Sequence, residues 1–300
     1  MTERTSIVRK IYSQLFKKDV DNTLNIFLCG ADTGKTDSFR HLLNIEFKKY
    51  AKFNVVYPEF IFATLLNQKE SNLLELEDEL ASYVDLIIIP LEGQGTLAEI
   101  GAFAVNKKLL PKIIAINDVR YKNAKSFINL GPIDLIKKTN SNNLFYFTKG
   151  KEKDILEDLV DSVSSKRIPK KDSYDLVNIF NLSRYLFYLI AIYQPLTKKE
   201  MFRKLNELTE EIKNAKIKLK YIDASIQILV QKNRIEKDID SNFKEIYSLS
   251  EEGHYYVYEE LLPKLKIVKE FSDIRLKILN NQIKRNKKNM DKELKLLELK

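Results

Sequence analysis

Short apolar runs recur through the first half of the chain, each followed by a stretch with helical spacing. Residues 25–29, 54–57, 86–90, 111–117 and 144–147 are compact and mostly apolar, the pattern of strands buried on both faces. Between them, apolar residues fall three and four apart. Ile7, Ile11, Leu15 and Phe16 predict an amphipathic helix over 4–19, ahead of the first strand. Further helices are predicted over 37–50, 60–66, 72–83 (with Leu73, Leu74, Leu76 and Leu80 inward), 97–108 and 151–163. Strands alternating with helices mean a parallel sheet covered on both faces.

The pattern changes after residue 163. SSKRIPKKDS, residues 164–173, is polar, charged and interrupted by Pro169, so it reads as a linker. Three helices are predicted beyond it, over 174–193, 195–208 and 216–231. Residues 232–249 read as a two-stranded ribbon with a polar turn at 240–242, and LSEEGHYYV restarts a helix. A last, strongly charged helix spans 261–299, with an irregular apolar stripe (Leu265, Val268, Phe271, Ile278, Ile283) that breaks near Asn286, too short-lived for a coiled coil. The expected fold is α/β: a Rossmann-like (flavodoxin-like) sheet over 1–163, a linker over 164–173, a mostly α unit over 174–262 that resembles a winged helix-turn-helix, and a basic C-terminal helix over 263–300.

Composition narrows the chemistry. Two domains are the prior for 300 residues. No run reaches the roughly 18 apolar residues of a membrane helix, and MTERTSIVRK lacks a signal-peptide core. One cysteine, Cys29, in an apolar strand, reads as a core thiol and fits a reducing cytoplasm. With only His41 and His254, a histidine metal site or a Ser-His-Asp triad is disfavoured. The catalytic inventory is carboxylates; no metal and no cofactor is expected. The net charge of +9 is uneven: residues 262–300 hold 12 basic against 5 acidic side chains, while 151–261 hold 19 against 20. A basic tail suits a polyanion, nucleic acid first, although a solvated charged helix has the same composition.

The chain is organised around DLIIIPLEGQGTLAEIGAF, residues 85–103. A buried strand, a turn with Gly93 and Gly95, and a helix with Thr96 as its expected N-cap place a ligand site at a strand's carboxyl end. Glu99, read as lying in the first turn, is expected to stay ionised by the helix dipole and to face the crevice, which makes it a candidate nucleophile. A glutamate that only answers the dipole has the same spacing. Gly101 suits close helix–sheet packing, and Asp85 reads as a strand-start residue. GADTGKT, residues 30–36, is one residue short of a phosphate-binding P-loop, so an NTPase is disfavoured. Its Gly30 can still bring backbone close to a ligand.

GTLAEIGAF after an apolar strand resembles the catalytic segment of the nucleoside 2-deoxyribosyltransferase-like N-glycosidases. With FLCGAD and SFINLGP in the same order, and a second domain behind, the chain resembles the effectors of a class of bacterial retrons. The resemblance implies that Glu99 attacks the sugar C1′. It also implies substrate contacts by Gly30, Asp32, Glu77, Glu92, Gly95 and Thr96. Glu77 could equally be a surface helix glutamate, and the family's usual Asp stands about one residue closer to the nucleophile than Glu92 does. Lys213, Lys216, Lys218 and Lys220 precede or begin the third helix of the second domain. Lys216, Lys218 and Lys220 are the candidate phosphate contacts; a protein-docking role for this domain is the alternative. The family role implies a toxin that cleaves a nucleotide-like substrate; NAD is apt on physical grounds, since nicotinamide leaves its cationic centre as a neutral molecule, and a nucleoside 5′-monophosphate is the second possibility. It would be restrained by a reverse transcriptase and its msDNA, act in the cytoplasm away from membranes, and form a homo-oligomer or filament. The rival class is a nucleotide-sensing winged-helix transcriptional regulator without catalysis.

Overall fold

A computed structural model describes residues 6–31, 34–50, 52–57, 59, 83–166, 174–212, 217 and 219–297, with side chains of the last helix given to Lys284 and at Lys287. The helices predicted over 60–66 and 72–83, the linker, Asp32, Glu77, Lys213, Lys216 and Lys218 lie wholly or largely outside the described residues. The chain divides into two compact units, residues 21–173 and residues 1–20 with 174–300.

The first unit is a five-stranded sheet: β1 (Leu24–Leu28), β2 (Phe53–Val56), β3 (Leu86–Pro90), β4 (Ile113–Asp118) and β5 (Leu144–Phe147). The order is β2-β1-β3-β4-β5, and every pairing is parallel. β1, β3 and β4 are buried along their whole length, as their near-continuous apolar runs require. Their side chains alternate between two faces. Ile26, Leu28, Ile88, Ile114 and Ile116 share one core with Phe39, Leu43 and Phe47 of the helix Phe39–Lys48 and with Leu159 and Val163 of the helix Leu156–Ser165. Phe27 points the other way and meets Phe103 of the helix Gln94–Ala104 edge-on, ring centroids 6.3 Å apart.

Asp85 ties the sheet's amino end: its Oδ2 accepts from the Asn25 N–H at 2.8 Å, and its own N–H reaches the Asn25 carbonyl at 2.9 Å. At the carboxyl end the chain leaves β1 towards β2 and leaves β3 towards β4, in opposite directions. The gap between β1 and β3 is therefore the switch point at which such sheets bind ligands.

Two local expectations are corrected. The helix after β3 begins at Gln94, not Leu97. Its N-cap is Gly93, in extended conformation, and Thr96 is the third helical residue, its hydroxyl donating to the Gly93 carbonyl at 2.8 Å. Gly101 makes no close approach, since a Cβ there would find no atom within 4 Å.

In the second unit, the helix Ile179–Tyr193 is apolar nearly all round and buried nearly throughout, the behaviour of a central helix. Packed with it are the helices Lys198–Ile212 and Leu219–Gln231 and the antiparallel hairpin of β6 (Ile235–Ile239) and β7 (Glu245–Leu249). An antiparallel bridge joins Leu196 to Tyr247. Asp240 Oδ1 fixes the hairpin turn by accepting from the Asn242 and Lys244 N–H groups, at 2.8 and 2.9 Å. The N-terminal helical segment, read in sequence as leading into the sheet, packs in this second unit instead. Val8, Ile11, Leu15 and Phe16 are buried beside Tyr185, whose ring stands edge-on to Phe16 at 5.9 Å. Arg184 meets Asp19 at 3.1 Å with both side chains nearly buried, and the Tyr188 hydroxyl donates to the other Asp19 oxygen at 3.3 Å.

The last helix also starts later than its charge pattern suggests. Lys266 turns left-handed (φ 54°), and the N–H groups of Lys266 and Ile267 close on the Pro263 and Leu262 carbonyls, which ends the preceding helix. The final helix then runs Val268–Leu297.

Candidate functional site at the sheet's switch point

Glu99 is the sixth residue of its helix, one turn beyond the reach of the N-terminal dipole. It is half-buried beside Cys29, the residue that follows β1, and beside Arg40 and Glu59. Burial dominates and raises the Glu99 pKa above its ordinary 4.5. A hydrogen bond from the Cys29 thiol and the charge of Arg40 pull it back, while Glu59 pushes it further up. Desolvation rather than the dipole thus governs this carboxyl and moves its pKa up, because the dipole has faded at this depth in the helix. Among the described residues, Glu99 Oε2 is enclosed and has no hydrogen-bond partner. A carboxylate oxygen left without a hydrogen bond is costly to the fold, and such a group beside a ligand site is a functional candidate.

Arg40 organises the other wall. It is 1 % exposed, and its two terminal nitrogens pair with the two Glu59 oxygens at 2.5 and 2.6 Å. It donates to the Ala31 carbonyl at 2.9 Å, and its guanidinium lies 4.1 Å from the centre of the Tyr57 ring. Gly30 accommodates this residue: at φ +152°, a Cβ on Gly30 would come within 2.5 Å of the Arg40 chain. The backbone freedom of Gly30 is used to seat Arg40, which answers what that glycine faces. Gly30→Val should therefore unseat Arg40 and destabilise the unit by about 1–3 kcal/mol, lowering the Tm while substrate affinity falls. Circular dichroism melting of the full chain checks this, and an unchanged Tm would contradict it.

Glu92 is committed to backbone. Its Oε1 accepts from the Ala31 and Arg40 N–H groups at 3.0 and 3.2 Å, and its Oε2 from the Phe39 N–H at 2.9 Å. It satisfies orphan donors at the start of the helix Phe39–Lys48 and ties the β3 loop to the β1 loop across the switch point. Thr96 is buried and spent on its helix cap, whereas Gly95 is exposed with open space around it. The structure thus places Glu99 and Gly30 on either side of Arg40 at the switch point, with Glu92 bracing the loops there. Cys29, Arg40, Tyr57 and Glu59 are the members that sequence reasoning missed. Lys220 begins the helix Leu219–Gln231 in the other unit, 5.3 Å from the Tyr221 ring centre.

A concavity of about 670 Å³ runs from the switch point, where Asp37, Phe39 and Glu92 line it, over the carboxyl ends of β3, β4 and β5. Asn117 and Asp118, both nearly buried, end β4 beneath it. Asp118 accepts from the backbone N–H of Arg120 at 2.9 Å and from its Nε and Nη2 at 2.9 and 2.6 Å, and these bonds hold the Asp118 carboxyl below its usual pKa. Asn129, within SFINLGP, donates to the Tyr121 and Ala124 carbonyls at 2.6 and 2.8 Å and shapes the rim. A polar Asn-Asp pair ending an apolar strand was the available sequence signal.

No described helix is long and apolar enough to cross a membrane. Among curated proteins, the chain is similar to two from Escherichia coli. It is 31% identical over 204 residues to the Retron Ec86 putative ribosyltransferase/DNA-binding protein, covering 63% of this chain and 66% of that one. It is 34% identical over 212 residues to the Retron Ec73 putative ribosyltransferase/DNA-binding protein, covering 62% and 65%. The match thus spans just under two thirds of each relative's length. The model of the STM3845 retron effector protein family matches residues 36–237, which include Arg40, Glu92, Glu99 and the residues lining the concavity. The chain belongs to the STM3845 retron effector protein family.

Proposed function

We propose that the sheet unit is an N-glycosidase of the nucleoside 2-deoxyribosyltransferase-like kind and that Glu99 is its nucleophile. The observation that carries this reading is the half-buried Glu99 carboxyl at the switch point, beside Cys29 and Arg40, with one oxygen unpartnered among the described residues. The relatives' names, with their putative ribosyltransferase, support the same class of chemistry. In the first step the bond between C1′ and the base nitrogen breaks as a Glu99 carboxylate oxygen bonds to C1′, through an oxocarbenium-like transition state. Water then displaces the carboxylate. NAD suits this site: nicotinamide leaves a cationic centre as a neutral molecule and needs no proton donor. A nucleoside 5′-monophosphate is the second substrate. The experiment is incubation of the full chain with NAD and with nucleotides, followed by chromatography for free base. No base release by the wild type, or equal release by Glu99→Gln, would refute the reading. Because attack needs the ionised form, the rate should fall as pH drops through the raised Glu99 pKa, higher than an ordinary carboxyl would set it.

In this reading the protein is the toxin of a cytoplasmic anti-phage retron, restrained by the reverse transcriptase and its msDNA. The second unit serves as a winged helix, supported by its three helices, its hairpin and the Leu196–Tyr247 bridge, and by the DNA-binding element in the relatives' names. Lys216, Lys218 and Lys220 and the basic tail meet phosphates. Changing the three lysines to Ala should weaken binding to the RNA-linked DNA and flatten its salt dependence by about one unit of log–log slope per lost contact. Titrations at several salt concentrations check this. Equal affinity and equal slope would assign the unit to the reverse transcriptase protein.

A further inference from the structure

The concavity over β3–β5 contains an arrangement that the glycosidase step does not use. Asp118 is 3 % exposed and spends both oxygens on Arg120, whose side chain is 59 % exposed. A nearly buried carboxylate that holds an open guanidinium by two hydrogen bonds, with a third to the Arg120 backbone N–H, gains little from the pair itself, because half of it is in water. What the arrangement achieves is direction: the guanidinium is fixed at the rim with Nη1 outside this set of bonds. Arginine in a fixed orientation is suited to phosphate oxygens. Lys149 stands at the same rim, while Phe147, Leu97 and Tyr121 offer apolar and aromatic surface and Asn117 a side-chain amide beneath; the other lining carboxylates are Asp37, Glu152 and Glu92, the last committed to backbone N–H groups. Oriented cation, aromatic surface and buried amide are the components of a nucleotide pocket, and about 670 Å³ is ample for a nucleoside phosphate. Glu99 is not among the lining residues, so this pocket does not hold the reacting bond.

We infer that this concavity binds a nucleoside 5′-phosphate as the non-reacting half of a dinucleotide substrate, with Arg120 on its phosphate. The substrate part of this inference rests on the glycosidase reading; the nucleotide pocket does not. Asp118 acts as a positioning residue through Arg120.

The test has two arms, both on the full chain. In the first, AMP and adenosine are titrated into the non-turning Glu99→Gln protein. AMP should bind at least about tenfold more tightly than adenosine, the value of one charge-assisted contact. Arg120→Gln, added to that protein, should remove the difference, and Ala124→Trp, which fills the exposed rim, should abolish binding of both. AMP and adenosine binding alike, or AMP indifferent to both changes, would overturn the inference.

In the second arm, turnover of NAD and of nicotinamide riboside is compared in otherwise wild-type protein. Arg120→Gln should raise the KM for NAD about tenfold or more, with kcat within twofold, and leave the riboside unaffected. Asp118→Asn should do the same in weaker form, because the guanidinium is kept but no longer pinned. An unchanged KM for NAD with Arg120→Gln would overturn the inference and leave the glycosidase standing. Absent turnover in the wild type, with AMP binding intact and sensitive to Arg120, would overturn the glycosidase reading and keep the pocket.

Discussion

Glu99→Gln is expected to lower base release by about a thousandfold or more, the size of effect seen when a nucleophile that acts as part of a unit is removed. The same change should make the protein more stable, and the gain should depend on pH. A carboxyl whose folded pKa lies above its unfolded value binds its proton more tightly when folded. The stability tied to that proton is complete below the unfolded value, near 4.5, and is lost as pH rises through the raised folded one. Glutamine has no proton to lose, so the variant should match the wild type near pH 4 and melt higher at pH 8. Melting both proteins across that range, beside single-turnover assays, separates the mechanism from a folding defect. A variant that turns over like the wild type, or melts lower at pH 8, would show that Glu99 is an ordinary helix residue.

Asp19→Ala should have the largest effect on stability away from the site. It leaves Arg184 without its carboxylate in a setting where both side chains are about a tenth exposed, and takes the acceptor from the fully buried Tyr188. Breaking such a pair from one side costs about 3–5 kcal/mol, a fall in Tm of about 10 °C for a unit of this size. The loss should fall on the unit of residues 1–20 and 174–300. Calorimetry should resolve it as a lowered transition for that unit, with the transition of the sheet unit unmoved. A single unshifted transition would mean that the ion pair contributes nothing.

The sheet was legible because its strands carry the signal themselves: Leu86–Pro90 and Leu144–Phe147 appear with the predicted limits, and β1, β2 and β4 within two residues at each end. Helix starts were less legible. Gly93-Gln-Gly-Thr96 offers two capping residues, and only the backbone shows that Gly93 caps while Thr96 sits inside. That three-residue shift carried Glu99 out of the first turn and replaced dipole stabilisation by desolvation. Glu92 illustrates a different limit. Its spacing from Glu99 suggested a substrate contact, but its partners are backbone groups of residues 31, 39 and 40, which no local pattern could supply. Arg40 was passed over because a charged residue in an amphipathic helix reads as solvated. Its burial follows from Glu59, Tyr57 and the missing side chain at Gly30 acting together.

The packing of the N-terminal helix also dictates an order of events during synthesis. Asp19 emerges early from the ribosome, but Arg184 follows it by 165 residues. At about 5–20 residues per second, the helix waits on the order of ten to thirty seconds for its partner. Every residue of the sheet unit is made within that interval, so the switch-point crevice can close around Glu99 while the second unit is still incomplete. A restraint that acts through the second unit would then reach a site that is already formed. Pulse-labelled nascent chains stalled after Ser173 has left the ribosome, with Arg184 still inside it, should carry a protease-resistant sheet unit and an N-terminal helix that is still cleavable.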